Sequence, residues 1–531
     1  MTQAGRSAHV DTFTRENLPP REEWPEFLFT LPDVRYPATL NCATELLDRH
    51  IDAGAGERRA ILTDSETWSY ADLQARSNRV AHALTDEFGL VPGNRVLLRG
   101  PNNPWLVAAW FGVIKAGGVA VTTMPLLRKT ELETMIEIAD VHMAICDERF
   151  VEDLNAASPR GFKTMTYGAG GIAGNKSAKF ENVATASDDV CMLAFTSGTT
   201  GRPKATMHFH RDVLAIADTF SRHVLQTTAG DVFAASPPLA FTFGLGQNVI
   251  FPMRAGASVY LNEQPSPKAL LEAVQRHRIT VLATAPTAYR AMLADLGAAD
   301  LTSLRACVSA GETLPKATWE AVHDACGLRI IDGIGSTEML HIFISAAGDE
   351  IRPGSTGRAV PGYVAEIQDD DGRPVPDGEL GRLAVKGPTG CRYLRGDRQT
   401  TYVQKGWNLT GDVYVRDADG YFQYQARADD MIISAGYNIA GPEVEEALLR
   451  HPAVAEAAVV GVPDEQRGML VKAVVVLQKD ADLGAEPAKA LQDFVKTQIA
   501  PYKYPRVVDF AEALPRTATG KLQRFRLREG D

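Results

Sequence analysis

Residues Thr196–Ala205 read TSGTTGRPKA and follow Cys191–Phe195 (CMLAF), a short apolar run with the length of a buried strand. Six of the ten residues are Gly, Thr or Ser. Gly198 and Gly201 let backbone N–H groups approach an anion closely. Thr196, Ser197, Thr199 and Thr200 add hydroxyl donors, and Lys204 adds a mobile positive charge. A strand that delivers such a loop points to an α/β sheet, and the loop itself suits a polyphosphate. It does not follow the GxxxxGK[ST] pattern. Gly201 is followed by Arg202–Pro203, and Ala205 stands where that pattern has its Mg²⁺-binding hydroxyl. Taken alone, the string also reads as a flexible surface turn.

The surrounding sequence agrees with an α/β chain. Arg95–Arg99 (RVLLR) reads as a strand, Trp105–Lys115 as a buried helix, and Val119–Thr122 as the next strand after the Gly117–Gly118 stop. That order predicts a parallel pair with a crossover. Lys268–His277 repeats the helical pattern, followed by strands at Thr280–Ala285 and Leu304–Ser309. From about Gly381 the pattern changes to short antiparallel strands, Gly381–Lys386 and Gly420–Tyr424. A helix is predicted at Pro442–Leu449, with Glu443, Glu445 and Glu446 in its first turn. Strands at Val454–Val462 and Leu470–Leu477 and a helix at Ala485–Ile499 complete a small α+β unit. At 531 residues the chain is too long for one core. The expected division is a large domain, 1–428, of parallel sheets with flanking helices plus a small β-subdomain, and a smaller α+β domain, 429–531.

Other function classes are disfavoured. The net charge of −11 and the scatter of Lys and Arg offer no basic face for nucleic acid. The apolar stretch Leu106–Thr122 is too short and too interrupted to span a bilayer. No signal core opens the chain. The six cysteines show neither a zinc spacing nor a CxxC pair, so inert thiols in a cytoplasmic protein are expected.

Further motifs stand in order along the chain: Ser309–Glu312 (SAGE), Ile334–Glu338 (IGSTE), Thr410–Asp412 (TGD), Arg427–Glu445 (RADDMIISAGYNIAGPEVE) and Pro515–Arg524 (PRTATGKLQR). Together with the loop they resemble the adenylate-forming superfamily of acyl-CoA synthetases, luciferases and peptide-synthetase adenylation domains, from about Trp68 to the end. The resemblance implies ATP, Mg²⁺ and coenzyme A. It implies that the loop holds the β and γ phosphates, that Thr337 meets the α-phosphate, and that Glu338 binds Mg²⁺. Gly311 and Glu312, with Ile334, Gly335 and Ser336, would flank the adenine. Asp412 would accept from both ribose hydroxyls, with Arg427 adding charge nearby. Lys521 would bridge the attacking carboxylate and the phosphate. Asp429 would be the hinge about which the smaller domain moves, and Gly436 and Tyr437 would face coenzyme A. Ile334 departs from the family, which often has an aromatic residue there to stack on adenine.

Pro237–Gly246 (PPLAFTFGLG), Gly335–Phe343 (GSTEMLHIF), Gly387–Tyr393 (GPTGCRY) and Asn17–Phe27 (NLPPREEWPEF) look like aryl-CoA ligases of the benzoate and 2-aminobenzoate type. The resemblance implies an acid pocket of Thr242, Phe243, Gly244, Ala310, His341 and Ile342. Bulky Phe243, His341 and Ile342 argue against an alkyl tunnel, and His341 alone also reads as a core histidine. The expected activity is therefore aryl acid–CoA ligation, 2-aminobenzoate first and benzoate next, by a monomer or homodimer with no nucleic-acid or membrane partner. A free-standing adenylation enzyme that loads a carrier protein, a non-catalytic nucleotide-binding protein and a luciferase-like oxygenase remain as alternatives. With no carrier segment expected after the lysine loop, coenzyme A is favoured as the acceptor.

Overall fold

The structure is a computed structural model and describes residues 5–168, 172, 176–196, 203–396, 398–434, 437–464, 467–479, 481, 483–516 and 522–528. Four sheets organise the described residues. In the six-stranded sheet, Arg95–Arg99 lies parallel to Val119–Thr123, as the strand–helix–strand order predicts. The crossover helix Pro104–Lys115 starts at Asn103, whose side chain accepts from the Leu106 N–H, and all but one of its residues are buried. Val190–Thr196 continues that sheet and turns back into Lys204–Phe209 in antiparallel register, Thr196 opposite Lys204.

A nine-stranded sheet carries Val281–Thr284, Ala306–Ser309 and Ile330–Gly335 in parallel. Ile342–Ser345 then runs antiparallel to Ile330–Gly335. The hydrophobic core spans both sheets, drawing Val96, Val107 and Phe111 together with Phe233, Val281 and Ile344. A third, antiparallel sheet contains Leu380–Lys386, Trp407–Arg416 and Phe422–Arg427. The strand expected at Gly420–Tyr424 begins later: Gly420 takes φ +82° in the turn, and the strand runs Phe422–Arg427. That shift places Arg427 on a strand, opposite Asp412.

The fourth sheet pairs Val454–Asp464 with Gly468–Leu477 over the helix Gly441–Leu449, around a separate small core that includes Val444, Leu448, Val471 and Val495. That helix begins one residue before the expected start, so only Glu443 lies in its first turn. Glu445 instead accepts from the Val459 N–H at 2.7 Å and pairs with Arg524 at 2.5 Å. Among the described residues no helix is long and apolar enough to cross a membrane.

Five of the six cysteines are buried. Folding brings Cys42 and Cys191 to His210, their ligand-type atoms within 4.8 Å of one another, a grouping invisible to sequence spacing. The Cys42 N–H already donates to His210 Nδ1 at 3.2 Å, and all three residues sit in the core, so the group is packed interior.

Candidate active site

Thr196 and Lys204, which flank the loop expected to hold phosphate, lie opposite each other in the antiparallel pair. Ser197, Gly198, Thr199, Thr200 and Gly201 lie outside the described residues. Ile334 and Gly335 end the strand Ile330–Gly335, and the chain then turns through Ser336, Thr337 and Glu338 before His341 and Ile342. The turn is tight. Leu340 takes φ +70°, its N–H donates to the Thr337 carbonyl at 3.2 Å, and a Cβ on Gly335 would lie 2.6 Å from the His341 carbonyl oxygen.

Glu338 is half-buried, and Tyr393 donates its hydroxyl to Glu338 Oε1 at 2.5 Å. Burial, and then the Glu338 charge, push the Tyr393 phenol far above its usual range, so it stays a donor. Ser336 Oγ lies 3.2 Å from the Tyr402 hydroxyl. Burial, then the charge of Glu338, raises the Tyr402 pKa as well, with Asp412 adding to the effect. Tyr402 therefore stands within electrostatic reach of both carboxylates.

Asp412 and Arg427 form the second pair. Arg427 Nη1 donates to Asp412 Oδ1 at 3.0 Å and to the Thr410 carbonyl at 3.1 Å. Burial works against the guanidinium charge, but Asp412 outweighs it and raises the Arg427 pKa. Gly411 must be glycine here: its φ is +78°, and a Cβ would lie 2.9 Å from Arg427 Nη2. A half-buried Glu338 beside a hydroxyl donor, with Asp412 held by a cation, suits a hard divalent ion and a ribose respectively, since Mg²⁺ takes one or two carboxylates together with phosphate and water oxygens.

Gly311 is exposed at φ +89° after the buried Ala310, and Glu312 pairs with Arg516 at 3.3 Å. Arg516 and Leu522 form an antiparallel bridge across residues 517–521. Lys521 itself lies outside the described residues, as does Gly436. Tyr437 is exposed and stacks on Tyr502, ring centroids 4.6 Å apart. Asp429 is exposed, 3.9 Å from Arg427 Nε.

Among the residues expected to enclose the acid, Thr242 and Phe243 open a short helix, and Gly244 packs so tightly that a Cβ would lie 2.1 Å from the Pro238 carbonyl oxygen. Asn102 fastens the preceding loop, accepting from the Leu239 N–H at 2.8 Å and donating to the Pro237 carbonyl at 3.1 Å. His341 is buried against Phe251, Phe243 and Phe220, centroids 4.5, 5.6 and 5.5 Å away. Neither ring nitrogen meets a hydrogen-bond partner among the described residues. Burial drives its pKa down to about 3, so the imidazole is neutral. Ile342 is buried in its strand against Gly333.

Four functional-side features escape sequence reading. Tyr393, Tyr402 and Thr389 meet the Glu338 turn from a segment far along the chain; the GPTGCRY string contains Thr389 and Tyr393, but nothing local marks their contacts with the turn. Asp332, two residues before Ile334, has a buried Oδ1 without a partner among the described residues, and burial raises its pKa to about 8.

This geometry can be set beside known proteins. The model for AMP-binding enzymes matches residues 47–393, and that for the AMP-binding enzyme C-terminal domain matches 443–521. A benzoate–CoA ligase of Thauera aromatica is 36% identical over 514 residues, covering 94% of this chain and 98% of its own. The structure of the anthranilate CoA ligase AuaEII in complex with anthranoyl-AMP superposes with a TM-score of 0.88 at 34% identity, over 94% of this chain and 98% of that one. A benzoate CoA ligase from Burkholderia xenovorans LB400 gives 0.84 at 33% identity, over 92% of this chain and 100% of its own. With these matches and the paired carboxylate sites, the chain belongs to the AMP-binding enzyme family, within the adenylate-forming superfamily, and is an AMP-forming acid–thiol ligase.

Proposed function

We propose that the protein is an aryl acid–CoA ligase. It joins an aromatic carboxylate to the α-phosphate of ATP, releasing pyrophosphate, and the thiol of coenzyme A then attacks the carbonyl carbon of the aroyl-adenylate, so that the aroyl group passes to sulfur as a thioester and AMP leaves. One observation carries this reading. A single short turn, residues 334–342, runs from a carboxylate held by a hydroxyl donor into a histidine enclosed by three phenylalanines. A site that brings a carboxylate to a polyphosphate needs charge compensation at one end and a flat apolar enclosure at the other.

In this reading Thr196, Lys204 and the loop between them hold the β and γ phosphates, and Thr337 meets the α-phosphate. Glu338 is the Mg²⁺ ligand, and the ion supplies neutralisation of phosphate charge. Asp412 accepts from the ribose hydroxyls, steadied by Arg427. Gly311, Glu312, Ile334, Gly335 and Ser336 flank the base. Lys521 stabilises the charge that develops as the carboxylate attacks. Thr242, Phe243, Gly244, Ala310, His341 and Ile342 enclose the aromatic ring. The chain divides at 428/429 with Asp429 as pivot, and Gly436 and Tyr437 face coenzyme A. A cytoplasmic monomer or homodimer, supplied with ATP and coenzyme A, fits this chemistry.

Among aromatic acids we favour 2-aminobenzoate, then benzoate. Half-exposed Thr242 places a hydroxyl beside Phe243, and the likeness to both an anthranilate and benzoate ligases supports that pair. The test is a ligation assay with ATP, Mg²⁺ and coenzyme A over 2-aminobenzoate, benzoate, 4-hydroxybenzoate, a medium-chain fatty acid and acetate. Thioester and AMP formation strongest with 2-aminobenzoate or benzoate is the expected result. Pyrophosphate without thioester would transfer the activity to a carrier-protein acceptor, and a preference for the fatty acid would overturn the aromatic pocket.

A further inference from the structure

Thr389, Tyr393 and Tyr402 belong to one segment, and each meets the Glu338 turn at a different point. Thr389 Oγ1 donates to the Met339 carbonyl at 2.8 Å. Tyr393 donates to Glu338 Oε1 at 2.5 Å, and the Tyr402 hydroxyl lies 3.2 Å from Ser336 Oγ. On its other side the same segment is tied to Lys204–Phe209, the strand that leaves the phosphate loop. The Met207 N–H donates to the Arg392 carbonyl at 2.8 Å and the Leu394 N–H to the Ala205 carbonyl at 2.9 Å, while Thr206 and Tyr393 form an antiparallel bridge.

The segment is itself firmly anchored. Arg392 forms a fully buried ion pair with Asp212, and its guanidinium lies 3.9 Å from the centre of the Phe209 ring. Gln399 Oε1 accepts from the Tyr393 N–H at 3.0 Å, and the Tyr393 and Tyr402 rings meet edge to face, centroids 5.9 Å apart.

We propose that this segment is a brace between the strand leaving the phosphate loop and the Glu338 turn, with Tyr393 the positioning residue that orients the Glu338 carboxylate towards the metal–nucleotide. The proposal rests on the reading of Glu338 as the metal ligand. A glutamate on a turn has several rotamers, and a phenol fixed by main-chain and ring contacts selects one of them. In this proposal Tyr393 acts on Glu338 and not on the acid or the nucleotide. It acts by presenting a carboxylate already in place, so the metal–nucleotide binds without paying to order it.

The test uses the full chain, with Tyr393→Phe, Tyr402→Phe and Glu338→Gln. Two quantities are read: the Mg²⁺ concentration for half-maximal ligation at saturating ATP, and binding of Mn²⁺ with ATP, without acid or coenzyme A, by electron paramagnetic resonance. Tyr393→Phe is expected to weaken both by about ten-fold, the size of one hydrogen bond to a charged group, with the KM for the acid within about two-fold of wild type. Tyr402→Phe, which acts through Ser336, is expected to weaken both by about two- to three-fold. If Tyr393→Phe does not fold, Tyr393→His takes its place, with the same weakening expected because the shorter imidazole does not reach Glu338 Oε1. Unchanged metal dependence in the folded tyrosine variants, alongside a shift in Glu338→Gln, would overturn the positioning role and leave Glu338 as the ligand. Unchanged metal dependence in Glu338→Gln would overturn the reading of Glu338 and the proposal with it.

Discussion

In the region we propose for the nucleotide, Glu338, Ser336 and Asp412 each meet a polar group from another strand or segment, whereas in the region we propose for the acid His341 is enclosed by three phenylalanines and meets no hydrogen-bond partner among the described residues. The first region is fixed by direction, the second by shape. Hydrogen bonds to charged groups hold an atom to within a few tenths of an ångström, which charge stabilisation requires. Close packing sets only the outline of a cavity, which suffices to choose among flat rings. Substitutions on the nucleotide side should therefore affect every acid alike, and those on the acid side should redistribute activity among acids.

The largest effect is expected beneath the nucleotide side. Asp212→Ala would leave the Arg392 guanidinium buried without its partner, and loss of one member of such a pair costs about 3–5 kcal/mol. Chemical denaturation should show that loss, and a loss within about 0.5 kcal/mol would mean that the brace is held by its ring contacts instead. Glu338→Gln comes next. A fall in kcat/KM of about a hundred-fold, the same for each aromatic acid, is expected from steady-state kinetics. A fall that differs from acid to acid would erase the contrast between the regions.

Two buried groups near these regions, Asp332 and His341, respond oppositely to pH. Asp332 binds its proton up to about pH 8 in the folded chain, whereas an unfolded aspartate releases it near pH 4. Between those values the folded state holds more protons, so this group's contribution to stability falls as pH rises. His341, with a folded pKa of about 3, refuses a proton that the unfolded chain takes up below about pH 6.5, so its contribution falls as pH drops. Thermal unfolding across pH 5–8 should show a flatter alkaline limb in Asp332→Asn than in wild type. An identical limb would place the Asp332 carboxyl in contact with water. The smallest effect is expected for Thr242→Ala, a shift of about three- to ten-fold away from 2-aminobenzoate relative to benzoate. An unchanged ratio would remove Thr242 from acid selection.

Much of this was legible in the sequence because the signals are local. Short apolar runs placed the strands Arg95–Arg99, Val190–Thr196 and Val281–Thr284 within a residue or so, and the ordered motifs named both Asp412 and Arg427, which pair in the structure. What was hidden depends on contacts between distant segments. The strand through Arg427 starts after Gly420 turns the chain, so its pairing with Asp412 follows from sheet register rather than from either motif. Tyr393 stood inside the quoted GPTGCRY string, yet nothing local says that its hydroxyl reaches a glutamate 55 residues earlier. Asp332 stands within the strand Ile330–Gly335, where no sequence pattern singles it out, and only burial reveals its unsatisfied oxygen.

The most direct measurement is acid-dependent exchange of labelled pyrophosphate into ATP, run without coenzyme A on the wild type, Glu338→Gln and a His341→Ala variant over the same acids. The account predicts exchange with planar aromatic acids in the wild type, near-complete loss with every acid in Glu338→Gln, and an altered ranking of acids in His341→Ala. Exchange lost equally across all acids in both variants, or no aromatic-acid-dependent exchange in the wild type, would contradict it.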